Sequence, residues 1–299
     1  MKKLLFTGGT GFLGKNVMHL LNESYNITTC GITEEDMIRV NLVRSVPELP
    51  ERYDVVLHAC GKAHVVPKTS ADQQEFFDVN YQGTINLCAG LEKVGVPKAL
   101  IFVSTVAVYG IDTGVDITED APLNGKDPYA KSKIMAEEYL TQWCRKYNVI
   151  LGIIRPSLIA GPNPPGNLGA MINGIKTNRY LSINKGQVQK SVLMVQDIAR
   201  LVPILADKGG VYNVCDTQSP TFGELETIIA KQLGKRPPIS IPLWFATILA
   251  KCGDLLGGKA PINSIKLNKI IKPLTFSNAK ARKELGWTPL NVLDNFVIK

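Results

Sequence analysis

Thr7-Gly8-Gly9-Thr10-Gly11-Phe12-Leu13-Gly14 is the stretch that decides the fold. It follows a short apolar run, Lys3–Thr7, and opens a helix-like segment, Phe12–Leu21. Gly8 suits a tight turn, Gly11 a close approach of backbone to a pyrophosphate, and Gly14 close packing of helix on strand. The helix N-terminus would offer free N–H groups and a positive dipole end to an anion. Three glycines in register between a strand and a helix make a specific signal for dinucleotide binding. A nucleotide-triphosphatase loop is the rival reading, through Gly9, Gly14 and Lys15. It requires Ser or Thr next, to hold magnesium, and position 16 is Asn16.

Outward from this loop, strand-like and helix-like segments alternate. Ile27–Cys30, Asp54–Ala59, Ala99–Ser104 and Val149–Arg155 read as strands, and their near-continuous apolar character suits buried parallel strands. A long helical segment is expected over roughly Asp72–Val94, ended by Gly95 and Pro97. Asp127-Pro128 starts another, to about Tyr147, with Asp as N-cap and Pro at the first helical position. The pattern predicts an α/β fold, a Rossmann-type doubly wound parallel sheet. Residues 1–160 would form the dinucleotide-binding domain, with some later segments returning to it. After Arg155-Pro156 the character changes: Gly161–Gly169 is a loop, and residues 161–299 are expected to form mainly a smaller, mixed α/β substrate lobe. In it Val211–Cys215 is strand-like, Thr221 and Glu224 make a capping box, and Lys235–Pro242 is a connector. Leu243–Leu256 is apolar, with Trp244 and Phe245. It could lie on a membrane surface, but Lys251 and Asp254 interrupt it, and packing against its own lobe is the expectation.

The 299 residues are 45% hydrophobic and 20% charged, which excludes disordered, collagenous and coiled-coil chains. The +8 charge is spread thinly, so no nucleic-acid partner is expected. No apolar stretch is long enough for a membrane span, and Leu4-Leu5-Phe6 is too short for a signal peptide. The six cysteines are far apart without a CxxC pair, which points to reduced thiols and a cytoplasmic location. His58 and His64 have only Cys60 between them, so no metal site is expected.

Tyr129-Ala130-Lys131-Ser132-Lys133 places a phenol and an ammonium at i and i+4, on one helix face. An ammonium there, and a cationic nicotinamide, would lower the phenol pKa and let Tyr129 carry a proton at a sugar hydroxyl or ketone. Lys133 could also hold the nicotinamide ribose. Ser104 and Thr105 follow a strand's C-terminal end, where open α/β sheets bind ligands. A hydroxyl there can orient the reacting oxygen. At the end of the second strand no acidic residue stands at Cys30 or Gly31 for a ribose, Glu34 and Glu35 come late, and no arginine stands there for a 2′-phosphate. NAD and NADP both stay open.

With these motifs the chain resembles the extended short-chain dehydrogenase/reductases, in their NAD-dependent epimerase/dehydratase branch. The likeness runs nearly end to end: TGGTGFLG at 7–14, His58-Ala59-Cys60-Gly61, Val79-Asn80-Tyr81-Gln82-Gly83-Thr84, STVAVYG at 104–110, YAKSK at 129–133, Arg155-Pro156, and the tail Leu285-Gly286-Trp287-Thr288-Pro289. The closest flavour is the bacterial UDP-N-acetylhexosamine 4-epimerases and 4-ketoreductases of surface polysaccharide synthesis. The resemblance implies Thr105, Tyr129 and Lys133 as catalytic residues. It implies a cofactor site of Gly8, Gly11, Phe12, Leu13, Asn41, Leu42, Ala59, Cys60, Gly61, Asn80, Ser104, Pro156 and Ser157, with Tyr129 and Lys133. For a nucleotide-sugar substrate it implies His64, Thr105, Asn167 and Lys190, with a second basic clamp among Lys266, Lys269 and Lys272. Homodimers are common among relatives. Two other functions compete: a non-catalytic NAD(P)-sensing protein on the same fold, disfavoured because Tyr129 and Lys133 are both present, and a reductase of a non-nucleotide ketone.

Overall fold

The computed structural model describes residues 1–255 and 262–298. Along the first half run β1 (Lys2–Thr7), α1 (Phe12–Leu21), β2 (Tyr25–Gly31), β3 (Ile38–Arg39), β4 (Val55–His58), α2 (Ser70–Phe77), α3 (Gly83–Val94), β5 (Ala99–Val103), β6 (Gly114–Ile117), α4 (Pro128–Tyr147) and β7 (Ile150–Pro156). Then come β8 (Leu158–Ala160), α5 (Gly166–Lys176), β9 (Leu181–Ile183), β10 (Val192–Met194), α6 (Val195–Lys208), β11 (Gly210–Val214), α7 (Phe222–Gln232), β12 (Ile239–Ile241), α8 (Leu243–Leu255), α9 (Ser264–Ile271), β13 (Leu274–Phe276), α10 (Ala279–Leu285) and α11 (Val292–Asn295).

Seven strands form one parallel sheet in the order β3-β2-β1-β4-β5-β7-β11. The chain winds outward from β1 through β2 and β3, then crosses back to β4 on the other side of β1. That reversal opens a crevice beyond the C-terminal ends of β1 and β4, where such sheets bind ligands. Side chains alternate across the sheet with the period of two that strands impose. Leu4, Phe6, Leu57 and Ile101 face α1 and α6, against Val17, Leu21, Ile198 and Leu201. Leu5, Val56, Leu100 and Phe102 face α3 and α4, against Leu87, Leu91, Ala136, Leu140 and Trp143. Each such side chain, fully buried, contributes roughly 1.5–3 kcal/mol. A smaller core of Leu168, Met171, Ile175, Leu225, Ile229 and Phe296 assembles the second lobe from α5, α7 and the C-terminal tail. The tail is pinned by Asp197, which accepts from Leu290 N at 2.9 Å and from Trp287 Nε1 at 3.3 Å.

Three local features differ from the sequence reading. The expected helix over 72–94 is α2 and α3 joined through a π-turn at Asp78–Gln82. The turn carries the Asn80 side chain inward, where Nδ2 donates to Ser132 Oγ (2.9 Å) and Lys62 O (3.1 Å) while Oδ1 accepts from Lys62 N (2.7 Å). Lys235–Pro242, expected as a connector only, includes β12, parallel to β9. And α8 is a helix, but only Ala246, Ala250 and Gly253 of it are buried and Leu249 half-buried, while Leu243, Trp244, Phe245, Ile248 and Leu255 are exposed. Packing on the lobe therefore uses the small face, because it is the one that lets the helix approach closely. Leu256, expected to end this segment, lies outside the described residues.

Two buried polar networks sit under the crevice. Thr84 Oγ1 donates to Asn80 O (2.7 Å), so it accepts from His58 Nε2 (2.9 Å), and His58 Nδ1 accepts from Thr7 Oγ1 (2.6 Å). The ring is neutral, pushed down to about 3 by burial and by nearby Lys133. Deeper in α4, Glu137 takes Arg155 of β7 in a fork, through Nη2 at 2.6 Å and Nε at 3.1 Å. The same carboxylate accepts the Ser104 hydroxyl. Arg155 Nη1 donates to Tyr109 Oη (3.0 Å), which donates to Asn213 Oδ1 (2.6 Å) on β11. Both ionic side chains are nearly inaccessible. Removing one of two buried partners strands the other, at a cost of about 3–5 kcal/mol. Glu137→Ala should therefore lower stability by about that amount in urea denaturation, and adding Arg155→Met should recover most of the loss.

Candidate active site

The glycine loop turns at Gly8, whose φ is +81°. A Cβ there would lie 2.8 Å from Cys60 N, so β1 and the loop after β4 meet with no room for a side chain. At Gly14 a Cβ would lie 1.9 Å from Gly9 O, which fixes the first turn of α1 against the loop. Gly11 caps α1 without a side-chain partner, so the first-turn N–H groups are left for a ligand. Asn16, at the position where a triphosphatase loop needs a hydroxyl, turns its amide to Phe12 O (2.8 Å) and Pro162 O (3.3 Å).

Beyond the loop lies a cleft of about 570 Å³. Gly8, Gly11, Phe12, Leu13, Asn41, Leu42, Ala59, Cys60, Gly61, His64, Ser104, Thr105, Tyr129, Lys133, Pro156 and Ser157 all line it. Three of the residues expected at the site do not. Asn80 lies behind Gly61, its amide engaged as above, and so holds the loop after β4 rather than facing the cleft. Asn167 is exposed in the first turn of α5. Lys190 stands apart, its backbone N–H bonded to Pro220 O at 3.0 Å.

α4 sets the reactive groups. Asp127 caps it by accepting from Ala130 N (3.0 Å), Pro128 takes its first position, and Tyr129, Lys133 and Glu137 follow at four-residue intervals down one face. Tyr129 and Thr105 line the cleft together, and the Tyr129 ring packs edge-on against Phe76 at 6.2 Å. Thr105 is itself fixed at the end of β5, where its Oγ1 accepts from Ala107 N at 3.1 Å. Lys133 Nζ donates to Val103 O (2.9 Å) and lies over the Phe102 ring at 4.6 Å. Burial pushes the Lys133 ammonium down to about 8, against the opposing pull of Cys60 and Glu137. Burial also raises the Tyr129 phenol above its ordinary value, with Thr105 opposing and Asp127 adding. The sequence spacing implied the reverse for Tyr129. Lys133 turns to a backbone carbonyl, and desolvation of the phenol outweighs the neighbouring hydroxyl.

Asp36 was missed in the sequence because it comes too late for the usual position. The chain beyond β2 turns back on itself, through Asp36 N to Thr33 O at 3.3 Å. This brings the carboxylate beside Gly31, where a Cβ would meet Asp36 Oδ2 at 2.5 Å. Oδ2 accepts from Thr33 N (3.0 Å) and Oγ1 (2.8 Å), whereas buried Oδ1 has no hydrogen-bond partner among the described residues. Gly31 and Ile32 line the cleft at this end, and at the other the buried Ser157 Oγ is likewise unpartnered. A crowded glycine turn, an uncapped helix start and the unpartnered Ser157 Oγ on the cleft wall fit a dinucleotide, with the Asp36 carboxylate behind Gly31. Of the basic residues expected in the second lobe, Lys269 comes near Lys190. Lys269 pairs with Asp112 (3.4 Å), and both act on the Lys190 ammonium, which burial holds below its ordinary value, with Asp112 opposing and Lys269 adding.

Known proteins carry the same pattern. Residues 4–215 match the model of the NAD dependent epimerase/dehydratase family. The N-acetyl-alpha-D-glucosaminyl-diphospho-ditrans,octacis-undecaprenol 4-epimerase of Escherichia coli O157:H7 is 29% identical, over 93% of this chain and 88% of that one. The GDP-6-deoxy-D-mannose reductase of Pseudomonas aeruginosa is 27% identical, over 77% of this chain and 79% of that one. The crystal structure of UDP-glucose 4-epimerase with UDP-glucose from Thermotoga maritima superposes with a TM-score of 0.73 at 20% identity, covering 98% of this chain and 95% of that one. With the glycine loop, the parallel sheet and the family pattern in agreement over most of its length, the chain belongs to the NAD dependent epimerase/dehydratase family.

Proposed function

We propose that this chain acts at C4 of a UDP-N-acetylhexosamine or its 4-keto form, as a 4-epimerase or 4-ketoreductase, in the synthesis of surface polysaccharide precursors. One observation carries the reading: Tyr129, Thr105 and Lys133 stand together in the cleft that the glycine loop opens. NAD(P), held along Gly8–Leu13, Asn41, Leu42 and Ala59–Gly61, supplies or takes the hydride at C4. Tyr129, kept protonated by burial, gives its proton to the C4 oxygen on reduction and takes the hydroxyl proton on oxidation. Thr105 orients that oxygen. Lys133, mostly charged at neutral pH, stabilises the phenolate that Tyr129 becomes. Apolar walls from Val79, Val103, Leu158 and Ile159 limit water around the transfer.

Epimerisation is supported by the relative from E. coli, a 4-epimerase aligned over most of both chains. Reduction is supported by the relative from P. aeruginosa, a reductase. Asp36 favours NAD over NADP, because a carboxylate beside Gly31 accepts from a ribose hydroxyl and repels a 2′-phosphate. Lys190 and Lys269 are the pair we assign to the substrate diphosphate, with His64 and Asn167 on the sugar side. Six free thiols support a reducing, cytoplasmic setting.

Incubation with UDP-GlcNAc, UDP-GalNAc and their 4-keto-6-deoxy forms separates the two activities. Isomerisation without net use of NADH marks the epimerase, consumption of NADH marks the reductase, and neither change discards the reading. Tyr129→Phe should cut turnover by about 10²–10⁴-fold while NADH affinity, read by fluorescence titration, is kept. Full turnover in that variant would remove Tyr129 from the chemistry. Wild-type protein should bind NADH about tenfold or more tightly than NADPH, and Asp36→Asn should narrow the gap. Lys190→Ala and Lys269→Ala should each raise the KM for the UDP-sugar by about tenfold, equivalent to one charge-assisted contact, without changing NADH affinity.

A further inference from the structure

The α8 helix has its hydrophobicity turned outward. Ala246, Ala250 and Gly253 recur at four- and three-residue spacing and are buried against the lobe. Trp244, Ile248 and Leu255, on another stripe, are 66%, 50% and 89% exposed. Lys251 lies in that stripe by the same spacing, three residues from Ile248 and four from Leu255. Phe245 packs edge-on against Trp244, with ring centroids 5.6 Å apart, and is itself exposed. Ile239 before α8 and Ile265 on α9 are exposed as well. A helix whose only task is to pack on its own lobe presents its large residues inward. Contiguous exposed apolar surface of this kind marks an interaction site.

Charge identifies the occupant. Between 235 and 272 the described residues hold six basic side chains and one acid, Asp254, which accepts from Ser264 N and Oγ. Lys235, Arg236, Lys251, Lys266 and Lys272 thus lie close in the chain to the exposed apolar residues, while Lys269 pairs with Asp112. Aromatic and aliphatic side chains set among lysines and arginines match an anionic bilayer surface, which takes the rings at headgroup depth and attracts the cations. A second copy of this chain would bring the same positive surface against itself, since a two-fold contact pairs like with like. No helix of the described residues is long and apolar enough to cross a membrane, so the contact is with the surface.

We propose that the α8–α9 face docks this chain on the anionic surface of a lipid bilayer, with Trp244 and Ile248 at the interface and Lys251 reaching the headgroup phosphates. The docking stands on surface geometry and charge alone, independent of the chemistry in the cleft.

The test is flotation of the full chain with phosphatidylcholine vesicles, with and without phosphatidylglycerol. Binding is expected with phosphatidylglycerol only, and high salt should release it. Trp143 and Trp287 are 5% and 3% exposed, so a blue shift of tryptophan emission on binding reports Trp244. The double substitution Trp244→Ser, Ile248→Ser should abolish both signals and leave NADH affinity and thermal melting unchanged. The proposal is overturned if anionic vesicles do not carry the chain, or if the double variant floats as well as wild type. It is also overturned if sedimentation velocity shows lipid-free self-association that this variant abolishes.

Discussion

The cleft depends on a carboxylate that never reaches it. Glu137 lies two helical turns below Tyr129 on α4 and takes Arg155 of β7 in a fork while also accepting the Ser104 hydroxyl. Three elements are thereby joined at one point in the interior: the helix that carries the phenol and ammonium, the strand end that carries Thr105, and the strand leading to Pro156 and Ser157. Charge buried in this way is tolerated because each partner satisfies the other. Arg155 passes the constraint on through Tyr109 to Asn213 on β11, so the outermost strand of the sheet is tied to the same network.

Above that network the sheet supplies the location and the residues supply the chemistry. The winding reverses between β1 and β4, so the glycine loop, the loop after β4 and the end of β5 face one crevice. Burial of the crevice floor sets the proton chemistry. It holds the Tyr129 phenol up and the Lys133 ammonium down, so the phenol keeps its proton while the lysine gives up its own more readily than in water.

The second lobe carries its cations in two settings. Lys269 pairs with Asp112, and both act on the half-buried Lys190 ammonium. Lys251 lies on the outer stripe of α8 among aromatic and aliphatic side chains.

The amino-acid order by itself determined what local spacing controls. Glycines at 8, 11 and 14, Asp127-Pro128 at a helix start, Tyr129 and Lys133 one turn apart, and the apolar runs of the strands each obey rules that span a few residues. They were enough to read the parallel fold and most of the cleft. What depends on residues far apart in the chain was decided only by the tertiary structure. Asp36 reaches Gly31 because the chain turns back after β2, and Lys269 pairs with Asp112, more than a hundred positions away. The direction of the Tyr129 shift follows from desolvation, and the outward face of α8 from which side chains the lobe had room to cover. Burial and charge pairing are properties of assembled surfaces, so no window of sequence contains them.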